Sequence, residues 1–365
     1  MKAGKMKVQT EAQLAEAIRD AQGPVQVQGG GTRPVGDAVG HLLEVGISGV
    51  TLYEPAALTL VVGAGTTLAE VETVLAAEGQ RLPFEPGRWG AVLGRDGEST
   101  IGGVVAANVS GPRRVQAGAC RDSLIGVRFV DGTGAVVKNG GRVMKNVTGY
   151  DLAKLMAGSW GTLGVMSELS FKLLPGAPAQ ATVCVDLPAG AAQVALAAAL
   201  GSPFDVSGAG WLPGPGAIVR VEGLADSVAY RAGRLRDLLA PYGAVTVETD
   251  FEASAALWAE LRDLTPFVGK PGDLWRFSVA PSQAPELLAR LGGEVLLDWG
   301  GGLIWALLPE GTRARAIAAP YKGHATCLRG PGPAFEPQPA PLAALEAGLR
   351  KRFDPRGILN PGRMG

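Results

Sequence analysis

The sequence predicts an α+β protein with two domains and a separate C-terminal segment. Its first half alternates short strand-like runs with turn residues, and its second half repeats strand and helix with short connections. Pro175, Gly176 and Pro178 separate the two patterns. A chain of 365 residues with 47% hydrophobic and 19% charged residues can fill two cores and is not disordered. We place the domains at 1–175 and 176–330, followed by a connector, helix and tail at 331–365.

The first domain opens with a short amphipathic helix, for which Thr10 and Gln13 form a capping box. A longer helix is predicted over 67–78, because an acidic first turn begins it and a glycine follows it. A short helix is predicted at 151–155. Strands are predicted where valine and leucine concentrate between turn residues, at 25–27, 58–62, 126–130, 135–137 and 165–174.

The second domain is predicted to form an antiparallel sheet with helices against it. Its strands are expected at 181–186, 218–222, 245–249, 274–280 and 303–308. Its helices are expected at 227–239, 253–264 and 283–291. A proline-rich stretch at 330–341 is typical of a semi-rigid connector, and it leads to a last helix at 342–353.

Composition excludes several functional classes. Acidic and basic residues are equal, at 34 each, so nothing indicates nucleic acid or an anionic membrane as a partner. No apolar run is long enough to span a bilayer, and no apolar segment follows the charged N-terminus as in a signal peptide. Three separated cysteines and two histidines, His41 and His324, form no disulfide framework and no metal cluster. These observations predict a cytoplasmic protein without a metal site.

Glycine-rich segments at 99–114 and 145–165 predict a bulky ligand. Glycine fills no volume in a core, but it lets backbone N–H groups approach a ligand closely, and a flavin is the best candidate. A third loop, at 29–32, places three glycines and a threonine after a strand, which suits a pyrophosphate but also occurs in ordinary loops. The run at 60–71 resembles a dinucleotide fingerprint, but Leu68 replaces its third glycine, which disfavours a nicotinamide cofactor.

The order and spacing of these motifs resemble the FAD-binding domain of the vanillyl-alcohol-oxidase type flavoproteins. The resemblance covers about 1–175 and the tail motif FDPRGILNPG at 353–362. Within that family, GPRR at 111–114, MKNVTGYDL at 144–152 and the short chain are most similar to the smaller flavin subunits of bacterial glycolate oxidases. The resemblance implies two α/β subdomains that hold FAD, a smaller cap domain with an antiparallel sheet, and a tail that returns to the FAD domain.

The resemblance also implies cofactor-binding residues by matching position. The pyrophosphate would be held by Gly29, Gly30, Gly31 and Thr32. The flavin and ribityl side would be lined by Pro86, Thr100, Gly102, Gly103, Asn108, Ser110 and Gly111. Gly164 and Val165 would contact the flavin edge, and Asn360 would approach the ring from the tail. No histidine or cysteine stands in a matching attachment motif, so we expect non-covalent FAD.

By the same resemblance, the chain would be the FAD-binding subunit of a multi-subunit 2-hydroxy-acid oxidase that converts glycolate to glyoxylate. Its implied partners are a larger FAD-binding subunit and an iron–sulfur subunit, through which it could associate peripherally with a membrane. Its cysteines lack the spacing to hold an iron–sulfur cluster themselves. Two alternatives stay open: a non-catalytic structural FAD-domain subunit, and a free-standing small FAD-dependent oxidoreductase acting on another polar substrate.

Two residues are candidates for substrate chemistry. Strand alternation puts Arg276 on one face with Leu274 and Ser278, from which it is predicted to enter the flavin cleft and hold a carboxylate. An exposed strand arginine is the alternative. Tyr150 is the best-placed acid or base by motif, although packing explains it equally well. His324 is expected at the surface, so the sequence identifies no convincing general base.

Overall fold

The computed structural model describes residues 6–141 and 149–364. The N-terminal half contains, in chain order, β1 (Met6–Val8), α1 (Glu11–Asp20), β2 (Val25–Gln28), β3 (His41–Val45), β4 (Val50–Glu54), β5 (Thr59–Gly63), α2 (Leu68–Ala77), β6 (Gln80–Arg81), α3 (Ile101–Ala106), α4 (Arg114–Ala117), α5 (Cys120–Ser123), β7 (Leu124–Val130), β8 (Val136–Gly140), α6 (Leu152–Met156), β9 (Val165–Lys172) and β10 (Leu174–Pro175). A parallel sheet has the order β1-β3-β2, an antiparallel sheet has the order β4-β5-β9-β7-β8, and β6 pairs with β10.

The second half contains β11 (Ala179–Asp186), α7 (Ala189–Leu200), β12 (Gly208–Leu212), β13 (Gly216–Gly223), α8 (Ala225–Leu239), β14 (Ala244–Glu248), α9 (Phe251–Asp263), β15 (Asp273–Val279), α10 (Ala284–Leu291), β16 (Glu294–Asp298), β17 (Leu303–Leu308), α11 (Ala314–Ala318), β18 (Gly323–Arg329) and α12 (Ala340–Phe353). Its eight strands form one antiparallel sheet in the order β14-β11-β13-β12-β16-β17-β15-β18. The predicted antiparallel sheet is confirmed, and we call it the cap sheet. No helix in residues 6–141 and 149–364 is long and apolar enough to cross a membrane.

The sequence signals explain how the first helices begin. The Thr10 hydroxyl accepts the Gln13 N–H at the start of α1. Thr67 and Glu70 form a complete capping box at the start of α2. The preceding strand, β5, runs antiparallel to both of its neighbours. The segment at 60–71 is therefore not the parallel strand-turn-helix unit of a nicotinamide-binding domain.

The two faces of the cap sheet pack against different layers. Leu274 and Trp305 belong to a core shared with Phe84 and Trp89 of the N-terminal half. The intervening positions, such as Phe277, belong to a second core beneath α7, α8 and α10. Arg276 and Ser278 alternate onto the same face of β15 as Leu274, so they face the N-terminal half.

A buried ionic cluster joins the cap sheet to the N-terminal half. Arg220 on β13 donates two hydrogen bonds, of 3.0 and 2.8 Å, to the carboxylate of Glu85. In the opposite sense, Glu222 on β13 accepts two hydrogen bonds from Arg113 and one from Arg81. Although burial acts to raise the pKa of Glu85, the guanidinium groups of Arg220 and Arg113 lower it to about 2. The cap sheet thus supplies the cation of one pair and the anion of the others, and these ion pairs hold it to the N-terminal half.

Candidate flavin cleft and substrate site

A half-open cleft lies between the parallel sheet, α3 and the turn before β9, and its empty space is about 870 Å³ when the solvent at its mouth is included. Ten of the fourteen residues predicted to bind the cofactor line it: Gly29, Gly30, Gly31, Thr32, Thr100, Gly102, Gly103, Gly164, Val165 and Asn360. Neither histidine and none of the three cysteines lines the cleft. The structure therefore brings together three glycine-rich segments that are far apart in the sequence.

Close backbone approach explains the glycines of the first loop. A Cβ atom on Gly30 would lie 1.6 Å from the backbone oxygen of Glu98, and one on Gly29 would lie 2.3 Å from Oγ1 of Thr100. Oγ1 of Thr100 also accepts the Gly103 N–H and caps α3. The wall of the cleft is consequently bare backbone, which a large planar ligand can approach closely.

Asn360 ties the tail to both sides of the cleft. Its side-chain oxygen accepts the Val27 N–H at 2.7 Å, and its side-chain nitrogen donates to the Trp160 oxygen at 2.8 Å. Its backbone is left-handed, with φ of 45°. Two arginines that also line the cleft, Arg33 and Arg363, each have a buried Nε without a hydrogen-bond partner. Bare backbone together with cations that lack full hydrogen bonding fits a flat cofactor that carries phosphates, as FAD does.

Four predicted cofactor residues lie outside this cleft. Pro86 lines a separate polar cavity beside the ionic cluster. The side-chain oxygens of Asn108 and Ser110 accept backbone N–H groups of α5, so they hold a turn. The Gly111 oxygen accepts the indole N–H of Trp299 at 3.0 Å. Pro86 and Gly111 thus lie at the junction with the cap sheet, while Asn108 and Ser110 hold a turn within the N-terminal half.

The structure corrects the interpretation of Tyr150. Its side chain is 89% exposed and does not line the cleft. Its carbonyl accepts a hydrogen bond from Asn139, which holds the loop before α6 while the ring extends into solvent. The motif residues at 142–148 lie outside the described residues.

Arg276 lies at the junction with the cap sheet and not in the cleft. Its guanidinium carbon is 5.3 Å from the Trp299 ring and 5.7 Å from the Trp305 ring. Arg114 of α4, from the N-terminal half, stacks on the same Trp299 ring at 4.2 Å. Within the described chain, neither arginine forms an ion pair. Burial and the charge of Arg114 lower the pKa of Arg276 to about 10. We call Arg114, Arg276 and Trp299 the arginine–tryptophan site.

Trp299 is held in a strained turn at the end of β16. Its φ is 53° and that of Gly300 is 67°, both in the left-handed region. A bulky aromatic residue is unfavourable there, and such strain concentrates at functional sites. The turn, together with the bond to Gly111, fixes the indole plane on which both arginines lie.

His324 is exposed at the start of β18, as the sequence predicted. It pairs with Ser278 across β18 and β15, next to the pair formed by Thr326 and Arg276. Directly opposed residues share a face, so the imidazole lies on the face that carries Arg276. Partial desolvation and the charge of Arg276 lower the pKa of His324 below its ordinary value. Strand β18 was not predicted, so no sequence pattern placed the two residues together.

Asp298, which precedes the strained turn, gives a testable pH dependence. It is 2% exposed, and burial raises its pKa to about 8. The unfolded chain therefore ionises at this group near its ordinary pKa of 3.8, while the folded protein stays protonated up to about pH 8. The contribution of Asp298 to the free energy of unfolding is therefore fully present below about pH 4 and is lost as the pH rises towards 8. Asp298→Asn removes the titration, and we expect it to gain at least about 1.4 kcal/mol over wild type between pH 4 and 8.

Denaturant unfolding at several pH values measures this gain. Asp237→Asn, at an exposed carboxylate on α8, is the control and should track wild type at every pH. A constant difference between Asp298→Asn and wild type from pH 4 to 8 would contradict the expectation.

Comparison with known proteins agrees with this geometry. Residues 3–140 match the FAD binding domain family. The chain is 36% identical over 360 residues to glycolate oxidase subunit GlcE of Escherichia coli K12, and the alignment covers 96% of this chain and 95% of that protein. It is 44% identical over 77 residues to glycolate oxidase subunit GlcD of Bacillus subtilis, covering 21% of this chain and 16% of that one. A solved alkyldihydroxyacetonephosphate synthase has the same fold, with a TM-score of 0.70, 15% identity and coverage of 97% of this chain and 76% of that chain.

The cleft, the cap sheet and the matched FAD domain define an FAD-dependent oxidoreductase of the vanillyl-alcohol-oxidase type. The similarity to the Escherichia coli protein extends over both the FAD domain and the cap sheet. The chain belongs to the family of glycolate oxidase subunit GlcE. The fold and the FAD cofactor expected from the sequence are thereby confirmed.

Proposed function

We propose that this chain is the FAD-binding subunit of a multi-subunit oxidase that converts glycolate, a 2-hydroxy acid, to glyoxylate. Its relatives GlcE and GlcD are each named as subunits of a glycolate oxidase, which supports a larger FAD-binding partner. An iron–sulfur partner would take the electrons onward, because this chain has only three cysteines and all three are buried and free. Free cysteines also support a cytoplasmic location.

The arginine–tryptophan site is the observation that carries the proposal. Arg114 and Arg276 are two partly buried like charges that lie on one indole and form no ion pair within the described residues, so both would stabilise an anion bound between them. A small carboxylate is the matching ligand, since a guanidinium group binds both carboxylate oxygens with parallel hydrogen bonds. Arg276 is the predicted carboxylate ligand, and Arg114 becomes its partner from the other domain.

His324 supplies the proton acceptor that the sequence did not reveal. Its imidazole shares a face with Arg276, so a hydroxy acid bound by its carboxylate would present its hydroxyl group nearby. Glycolate gives up two electrons and two protons on becoming glyoxylate, and bound FAD supplies the two-electron acceptor. The residues of the cleft hold and orient that acceptor, while the arginines and His324 orient the acid.

An anaerobic visible spectrum of the purified FAD-loaded protein, before and after adding glycolate, tests this function. We expect the flavin band to bleach in the isolated chain or, if the partners complete the site, in the purified complex. Arg276→Met should lower the efficiency of bleaching at least 100-fold, because a charged hydrogen-bonded contact to the carboxylate is lost. FAD content should stay unchanged, since Arg276 does not line the cleft.

Arg236→Met is the matched control, because Arg236 is an exposed arginine on α8 paired with Asp237. It should bleach like wild type. If glycolate bleaches neither the chain nor the complex while dithionite does, the chain does not serve glycolate oxidation, and a structural FAD-domain subunit becomes the better interpretation. If Arg276→Met bleaches like the control, the arginine–tryptophan site is not the substrate site.

A further inference from the structure

Arg33 is a buried cation without a counter-ion. It directly follows the glycine loop, lines the flavin cleft and is only 8% exposed. One of its terminal nitrogens donates to the Gly87 oxygen at 2.6 Å, and its Nε has no partner. Among the residues that the structure describes, no carboxylate forms an ion pair with it. Burial lowers the pKa of Arg33 to about 10, which leaves it charged at neutral pH.

The guanidinium group of Arg33 lies between the glycine loop and the cap sheet, and its Nη1 donates to Oγ1 of Thr32 at 3.5 Å. Its guanidinium carbon lies 5.4 Å from the Trp89 ring, and the edge of Trp89 meets Trp305 of the cap sheet at 5.3 Å. Arg276 also lies over the Trp305 ring, with its guanidinium carbon 5.7 Å from the ring centre. A Cβ atom on Gly103 would be 4.0 Å from Nη1 of Arg33. The charge of Arg33 thus lies where the cleft approaches the face of the cap sheet that carries Arg276.

We propose that Arg33 provides the positive charge that stabilises the reduced, anionic ring system of FAD. A buried cation held by neutral groups is costly until an anion arrives. At neutral pH a two-electron-reduced flavin ring carries one negative charge, and nearby protein charge tunes its electronics. The inference rests on FAD in the cleft, and it holds whichever hydroxy acid is the substrate.

The cofactor's pyrophosphate is the competing anion, and a second arginine separates the two cases. Arg363 also lines the cleft, in the tail that Asn360 anchors, and its Nε likewise lacks a partner. Its backbone lies against Gly36, beyond the glycine loop. A pyrophosphate keeps its charge in both redox states, so a residue that binds it changes FAD affinity and leaves the redox equilibrium alone. A residue that faces the ring changes that equilibrium.

The test compares Arg33→Gln with Arg363→Gln, both saturated with added FAD so that weaker retention does not hide the effect. The readouts are the midpoint potential of bound FAD and the dissociation constant of its sulfite adduct, which places the same negative charge on the ring. For Arg33→Gln we expect at least a tenfold weaker adduct and a potential lower by about 30 mV, the equivalent of tenfold for two electrons. For Arg363→Gln we expect weaker FAD binding with both values unchanged.

Arg33→Lys covers the case in which the neutral variant does not fold. A lysine keeps the charge on a compact group without the guanidinium fork, so a smaller shift in the same direction is expected. If the Arg33 variants weaken FAD binding but leave the potential and the sulfite constant at wild-type values, Arg33 binds the pyrophosphate and the proposal is overturned. Failure of glycolate to reduce the flavin would not touch this result, because neither readout uses a substrate.

Discussion

Gly103→Trp is expected to give a folded protein that retains no FAD. Gly103 lies on α3 and lines the cleft, and the nearest atoms to an added Cβ are Oγ1 of Thr100 at 3.3 Å and Nη1 of Arg33 at 4.0 Å. The backbone there can carry a side chain, and an indole at this position would extend into the cleft that Gly103 lines. The FAD-to-protein ratio, measured after gel filtration, should fall from near one to near zero.

Gly103→Ala is the matched control for this substitution. Its methyl group lies 3.3 Å from Oγ1 of Thr100, a close contact that a small shift relieves, and alanine favours the helix over glycine by about 1 kcal/mol. It should therefore keep its FAD. Circular dichroism should show that both variants retain the cap sheet. Normal FAD content in Gly103→Trp would mean that the cofactor lies elsewhere.

Arg220→Met is expected to destabilise the protein by about 3–5 kcal/mol, because it leaves a buried carboxylate without its main partner. Arg220 is 1% exposed and binds both oxygens of Glu85 and the hydroxyl of Ser207. After the substitution, Glu85 keeps the backbone N–H of Arg113 at 3.2 Å and a longer contact of 3.5 Å to the Arg113 guanidinium. The free energy of unfolding, measured by denaturant titration, reports the loss.

The pH dependence of this loss and a variant in an exposed ion pair provide two checks on the expected destabilisation. Because the folded pKa of Glu85 lies near 2, below its ordinary 4.5, its contribution is present above about pH 4.5 and is lost as the pH falls towards 2. The deficit of Arg220→Met should therefore shrink in acid. Arg236→Met breaks an exposed pair and should cost 0–1 kcal/mol. Unfolding of Arg220→Met at the wild-type denaturant concentration would show that the ionic cluster does not hold the cap.

Patterns among residues that are neighbours in the sequence predict much of the fold. Capping residues gave α1 and α2, and the glycine-rich segments gave the walls of the cleft, because both depend on residues that are neighbours in the sequence. The cap sheet was predicted in type but not in full. Strands β12, β16 and β18 were missed, since they are buried by long-range pairing and show no clear alternation.

The substrate side of the site depended on those missed strands. Asp298 ends β16 and Trp299 follows it directly, while His324 lies on β18. Only the register of the sheet brings these residues to Arg276. Arg114 stacks on Trp299, a tryptophan 185 positions further along the chain. No local pattern encodes such a contact. In the same way, Asn108 and Ser110 matched a motif but use their side chains to hold a turn.

The anchoring of the cleft by Asn360 has a consequence for biosynthesis. The side chain reaches back to Val27 across 333 positions, and translation at about 5–20 residues per second needs roughly 17–67 s to cover that distance. The glycine loop therefore leaves the ribosome long before the residue that closes its far side. The two hydrogen bonds that Asn360 makes across the cleft therefore form late, after the cap sheet has been synthesised. Chains that stop before the tail would lack both bonds.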